Sequence, residues 1–142
     1  MRRWPAILLT LVSLVHGSFA DEPTIIGSKK FTESYVLAEI AKRAQTGARV
    51  ANEIPTVGTY YANRAGRPDL ISVELSDPAE IAKLRPGDFV IDARGRTYYS
   101  NQAMLARLRQ SASAAFAVSV GSVPAANVYL LDAKSLAALR GE

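Results

Sequence analysis

In the stretch Phe31–Gly47 the apolar positions are Val36, Leu37, Ile40, Ala41 and Ala44, with Glu39, Lys42 and Arg43 on the other face. That recurrence is helical. It predicts an amphipathic helix that Thr32 or Ser28 can cap and Gly47 can end. Before it, "TIIGS" (Thr24–Ser28) is a short apolar run stopped by glycine, which predicts a buried strand. After Pro68 the pattern is regular. "DLISVEL" (69–75) predicts a strand. "SDPAEIAKL" (76–84) predicts a helix, with Asp77 at the cap, Pro78 at the first helical position and Glu80 where a capping box needs it. "RPGD" predicts a turn, "FVIDA" (89–93) a strand, and "SNQAMLARLRQ" (100–110) a helix with Met104, Leu105 and Leu108 on one face. "AAFAVSV" (114–120) and "NVYLL" (127–131) predict strands separated by the turn "GSVPAA", and "DAKSLAAL" (132–139) predicts a closing helix capped by Asp132.

Residues 48–68 carry two prolines and two glycines in "IPTVGTYYANRAGRP", and the simplest expectation there is an irregular connection with a short strand or helical turn inside. Strands alternating with helices of about ten residues predict the α/β class: a single small domain with a mostly parallel sheet flanked by helices. The strands at 70–75, 89–93, 115–120 and 127–132 are expected in one sheet, with Thr24–Ile26 at its edge or unpaired. The chain then divides into 1–20, a strand–helix segment 21–47, the connection 48–68 and an α/β segment 69–142.

The first twenty residues change the picture of where the protein works. Arg2 and Arg3 precede the apolar run "WPAILLTLVSLV", and "HGSFA" follows with Ser18 and Ala20 as small residues. This is the layout of a secretory signal peptide cleaved after Ala20, and the apolar run is short for a transmembrane span, which needs about 20 residues. Removing 20 of the 142 residues leaves 122 from Asp21, one domain's worth, with a periplasmic destination. Without Arg2 and Arg3 the 17 lysines and arginines become 15 against 13 acids, about +2, too mild for a nucleic-acid face. No cysteine is present, so disulfides and a lipidated cysteine are both excluded. The lone histidine, His16, lies in the signal, so the exported chain has no Ser-His-Asp triad or His-Cys metal site. No Gly-rich phosphate loop is present either. These absences argue against an enzyme, and no cofactor is expected.

One motif carries chemistry. "IGSKKFTES" (Ile26–Ser34) places two lysines, an aromatic, a threonine and a glutamate where a strand turns into a helix, and a helix N-terminus beside a cation favours an anion. The other reading is an ordinary helix start with solvated lysines. The stretch "IGSKKFTESYVLAEIAKRA", about residues 24–44, resembles the mature start of substrate-binding proteins of osmoprotectant ABC transporters. That family binds glycine betaine, choline, carnitine and similar quaternary amines. Its "GSK-x-FTE" turn is matched by Gly27, Ser28, Lys29, Phe31, Thr32 and Glu33. The resemblance implies ligand contacts from Lys29, Phe31, Thr32 and Glu33, with Lys29 on a ligand carboxylate, and a permease in the membrane as partner. It also implies a lobe of periplasmic-binding-protein type, truncated here, since the family has two lobes and more than twice this length. The family's later "PEYTGT"-like turn has no good counterpart, because "PTVGTYY" (Pro55–Tyr61) lacks the acid and follows too closely.

The family holds its quaternary ammonium in an aromatic cage by cation–π contact. Tyr60 and Tyr61 are the candidates for one here, with Tyr98 and Tyr99 as a second pair. The alternative is that one tyrosine of each pair faces the core and the other water. From Tyr60 onward the chain is also similar to the soluble α/β domain that ends some polytopic membrane glycosyltransferases, which implies an exported accessory domain without a ligand site. Among the acids, Asp77 is explained by capping and Asp88 by its turn. Asp92 has no such local role and is expected to be solvated or paired with an arginine.

Overall fold

The computed structural model describes residues 24–26, 32–93 and 101–142. In chain order these form β1 (Thr24–Ile26), α1 (Thr32–Arg43), β2 (Arg49–Asn52), α2 (Pro55–Arg64), β3 (Ile71–Glu74), α3 (Pro78–Ala82), β4 (Phe89–Ala93), α4 (Gln102–Ser111), β5 (Phe116–Val120), β6 (Val123–Leu130) and α5 (Ala133–Arg140). The six strands make one sheet in the order β1-β5-β6-β4-β2-β3. β1 pairs β5, and β2 pairs both β3 and β4, all in parallel. β6 runs antiparallel between β4 and β5. The sheet is therefore mixed, with three of its five pairings parallel and β6 alone running against the other strands, so the mostly parallel expectation is met in part, and β1 takes the edge position.

The antiparallel strand follows from a turn. Val120 pairs Val123 across Gly121 and Ser122, and Gly121 has φ +59°. A two-residue loop with glycine at its first position returns the chain beside itself. The expected six-residue turn is thus a two-residue one, and β6 begins four residues earlier than its apolar run. Pro124 is tolerated in that extension because it lies next to the register shift at Val118/Ser119 and beyond the part of β6 that pairs β4.

The second correction concerns 48–68, which holds β2 and α2 rather than an irregular connection. β2 is short and buried on both faces, so it shows no alternation. α2 is built from weak helix formers (Thr, Val, Gly, Tyr, Asn) and takes its shape from packing, with Pro55 in its first turn and Gly58 and Ala62 buried. Elsewhere the elements fall where the pattern put them, with shorter ends. α1 stops at Arg43, before Gly47. Asp77 caps α3 by accepting from Ala79 N–H, while Glu80 pairs with Lys83 at 2.6 Å instead of closing a capping box. Asp132 and Ser135 do form a capping box on α5.

Each face of the sheet has its own core. α1 and α2 place Val36, Leu37, Ile40 and Ala62 against Val50, Phe89, Ile91, Val118 and Val128. On the opposite face α3, α4 and α5 place Ile81, Leu105, Leu108, Leu136 and Leu139 against Ala51, Val73, Val90 and Tyr129. No helix among the described residues is long and apolar enough to cross a membrane.

Several arginines are committed to helix ends. Arg67 donates to the carbonyls of Ala41, in the last turn of α1, and of Ala44 and Gln45 just past it, Arg107 to Ala138 and Leu139 of α5, and Arg140 to Ala82 and Leu84 at the end of α3. A cation there satisfies orphan carbonyls and complements the helix dipole. Arg67 also grips Asp69 through both carboxylate oxygens, at 2.8 and 2.9 Å. That guanidinium first, and the Gly47 amide second, hold the Asp69 carboxyl well below the usual carboxylate range. The hydrogen bonds from Ser135 lower Asp132 in the same way. A carboxyl depressed in the folded state adds stability above its unfolded pKa and loses it as pH falls below that value. Asp69→Asn should therefore lower the thermal midpoint at neutral pH, and its gap from the wild type should close as pH falls below about 4. A gap unchanged down to pH 2 would remove this role.

Candidate functional site

In an open α/β sheet the place for a ligand is the carboxyl end of the strands where the chain order reverses direction. Here α2 carries the chain from β2 to β3 on one side, and α4 carries it from β4 toward β5 on the other. The switch point lies between the carboxyl ends of β2 and β4, which are adjacent in the sheet.

Three buried polar residues meet there. Asn52 ends β2. Its amide donates to Ser72 Oγ at 2.7 Å and to the Val50 carbonyl at 3.1 Å, and its Oδ1 accepts from Ile54 N–H at 2.9 Å. This side-chain turn swings the chain from strand into helix and fixes the residue between, Glu53. Glu53 is only 8% exposed, and its Oε2 accepts from Asn101 Nδ2 at 2.9 Å. Asn101 is 2% exposed and opens α4 from the far side of the switch point.

α4 is itself anchored by the acid that lacked a local role in the sequence. Asp92, 1% exposed on β4, receives Arg109 Nε at 2.7 Å and Nη2 at 2.8 Å. Asp92 is thus Arg-paired, and its carboxylate holds the Arg109 guanidinium above the usual arginine value. The bidentate pair ties α4 to β4, and α4 then presents Asn101 to Glu53.

α2 lies close to the sheet because of one glycine. A Cβ on Gly58 would sit 2.2 Å from Ser72 Oγ and 3.0 Å from Asn52 Nδ2. Gly58→Ala should destabilise by about 1–3 kcal/mol, the range for overpacking, despite alanine's better helix propensity. Adding Ser72→Ala should restore much of the loss. Urea unfolding of the single and double variants checks this, and a neutral Gly58→Ala would contradict the close approach.

The residues expected from sequence are described only in part. Lys29 and Phe31 lie outside the described residues, as do Tyr98, Tyr99 and the expected signal peptide. Thr32 and Glu33 open α1, which follows edge strand β1. β1 and β2 are four strand spacings apart, roughly 19 Å at the usual interval. Tyr60 and Tyr61 sit on α2, not on a strand, with ring centroids 5.1 Å apart and planes at 76°. Tyr61 packs on the core, Tyr60 is 56% exposed, and Arg64 lies over the Tyr60 ring at 5.9 Å. Asn52, Glu53 and Asn101 were not candidates by sequence. The signal that could have found them is "ANEIP", polar residues directly between a strand and a helix-starting proline, but it required β2 and α2 to be recognised first. Among the described residues no group of three or more His, Cys, Asp or Glu side chains is placed to hold a metal. Comparison of the chain with protein-family models, with curated proteins and with solved structures finds no match to any of them.

Proposed function

We propose that this chain is an exported α/β solute-binding domain of the osmoprotectant-transport type its opening segment resembles. It holds a small amine-bearing solute at the carboxyl end of its sheet and serves a permease in the membrane. The observation that carries the reading is the buried Glu53–Asn101 pair at the switch point, a carboxylate kept in place where α/β sheets take ligands. A betaine-sized solute is much shorter than the roughly 19 Å between β1 and β2, so it does not reach from Glu53 to β1. The carboxyl ends of β2 and β4, with the buried Glu53, are the seat this reading assigns to the cationic head.

A second reading has one observation in its favour. Asn52 has both its amide nitrogen and its oxygen engaged within the protein, as a purely structural turn would. On that reading the chain is an exported accessory domain without a ligand site. Thermal unfolding of the exported chain with millimolar glycine betaine, choline and carnitine separates the two. A solute at 100 times its dissociation constant stabilises by about 2.7 kcal/mol. We expect a raised midpoint that Glu53→Gln removes and Lys29→Ala leaves in place. A midpoint indifferent to all three solutes favours the accessory domain, and loss with Lys29→Ala alone moves the site to residues 27–31.

A further inference from the structure

The amino ends of the parallel strands bring cations and exposed apolar side chains to one end of the sheet. Arg49 opens β2 and pairs Ile71, the first residue of β3. On the other side of β2, Phe89 opens β4, and it pairs both Val50 and Leu130 at the end of β6. Leu130, Arg49 and Ile71 therefore stand along one end of the sheet, with three strand spacings, roughly 14 Å, from Leu130 to Ile71. Ile71 is 44% exposed and Leu130 is 50% exposed. Ile71 shares the face of Val73 and Leu130 that of Val128, so they flank the sheet end on its two faces.

One buried acid sets two arginines beside each other. Asp88, 3% exposed, accepts from Arg49 N–H at 2.8 Å through Oδ1 and from Arg85 N–H at 2.7 Å through Oδ2. Both oxygens are taken by backbone donors, and neither guanidinium has a hydrogen-bond or ion-pair partner among the described residues. The nearby acids are engaged elsewhere: Asp69 by Arg67 and the Gly47 amide, Glu80 by Lys83. Two cations held near one another without a local counter-charge attract an anionic partner. Guanidinium groups suit phosphate, and exposed aliphatic side chains beside them suit the boundary between lipid headgroups and acyl chains. A dissolved anion would use the arginines and leave Ile71 and Leu130 in water.

We propose that the amino end of the sheet seats the exported chain on an anionic phospholipid surface, with Arg49 and Arg85 on headgroup phosphates and Ile71 and Leu130 at the acyl boundary. Seating needs no solute, and it leaves the carboxyl ends of β2 and β4 in water.

Sedimentation of the chain from Asp21 with vesicles of phosphatidylcholine alone, and of phosphatidylcholine mixed equally with phosphatidylglycerol, tests this. Binding should require phosphatidylglycerol and should fall as salt rises from about 50 to about 500 mM. Arg49→Gln together with Arg85→Gln keeps both backbone N–H groups on Asp88 and should weaken binding by about tenfold or more. The chain has no cysteine, so Leu130→Cys can carry a single polarity-sensitive dye. Its emission should shift to the blue on phosphatidylglycerol vesicles, and the same dye at Thr56→Cys, by the start of α2, should stay unchanged. Equal binding to phosphatidylcholine alone, no binding to either vesicle, or a dye at Leu130 that does not shift overturns the inference. So does a thermal midpoint raised by inorganic phosphate without vesicle binding, which would make the arginines a site for a dissolved anion. Each of these results leaves the solute-binding reading untouched.

Discussion

Arg109→Ala should lower the unfolding free energy by about 3–5 kcal/mol, the range for removing one partner of a buried pair. The two ends of this pair are unequal. Asp92 is 1% exposed and Arg109 is 43% exposed, so the arginine can be lost to water but the carboxylate cannot. With the guanidinium gone, both carboxylate oxygens lose their donors inside the sheet–α4 layer. A buried charge without a partner is far more costly than a buried pair. Adding Asp92→Asn to Arg109→Ala removes the charge and should return a substantial part of the loss, a coupling of about 1–3 kcal/mol. Urea unfolding of the two singles and the double closes the cycle. An Arg109→Ala variant within about 0.5 kcal/mol of the wild type would mean that Asp92 is not confined as the structure places it.

Phe89→Ala should cost a similar amount, about 3–5 kcal/mol, for a different reason. Phe89 opens β4, pairs Leu130 of β6 on one side and Val50 of β2 on the other, and is 1% exposed. Its ring belongs to the core under α1 and α2, among Ile40, Val50 and Val128. Truncation leaves a cavity between strands that cannot collapse without breaking the register of the central sheet. For a domain of this size the thermal midpoint should drop by roughly 10–20 °C. Phe89→Leu should lose less, since it keeps most of the volume. A drop of only a few degrees for the alanine variant would place β4 away from the centre of the sheet.

How much of this was legible in the sequence depends on whether local pattern or tertiary packing set each element. β4 could be read to the residue, because Phe89–Ala93 is a mostly apolar run bounded in the sequence by "RPGD" and "RGR". Asp132 and Asp77 could be read as caps, because capping is a local side-chain-to-backbone contact. β2 and α2 were hidden. Ala51 and Asn52 give no strand signal by themselves, and Gly58 inside α2 looks like a break until Ser72 of β3 is seen against it. The site followed the hidden elements. Glu53 and Asn101 are 48 positions apart, and only the adjacency of β2 and β4 brings them together. The tyrosine pair failed in the opposite way: the residue types suit a cage, but a helix sets the rings at 76° to each other.

The central claim is that the switch point between β2 and β4 is where a solute binds. The most direct measurement is an amide chemical-shift titration of the isotopically labelled exported chain, with glycine betaine, choline and carnitine each raised to tens of millimolar. The account predicts saturable shifts with at least one of them, clustered at Asn52, Glu53, Ile54 and Asn101, with the far ends of α1 and α5 still. Shifts confined to residues 27–31, or no saturable shift with any of the solutes, would contradict it.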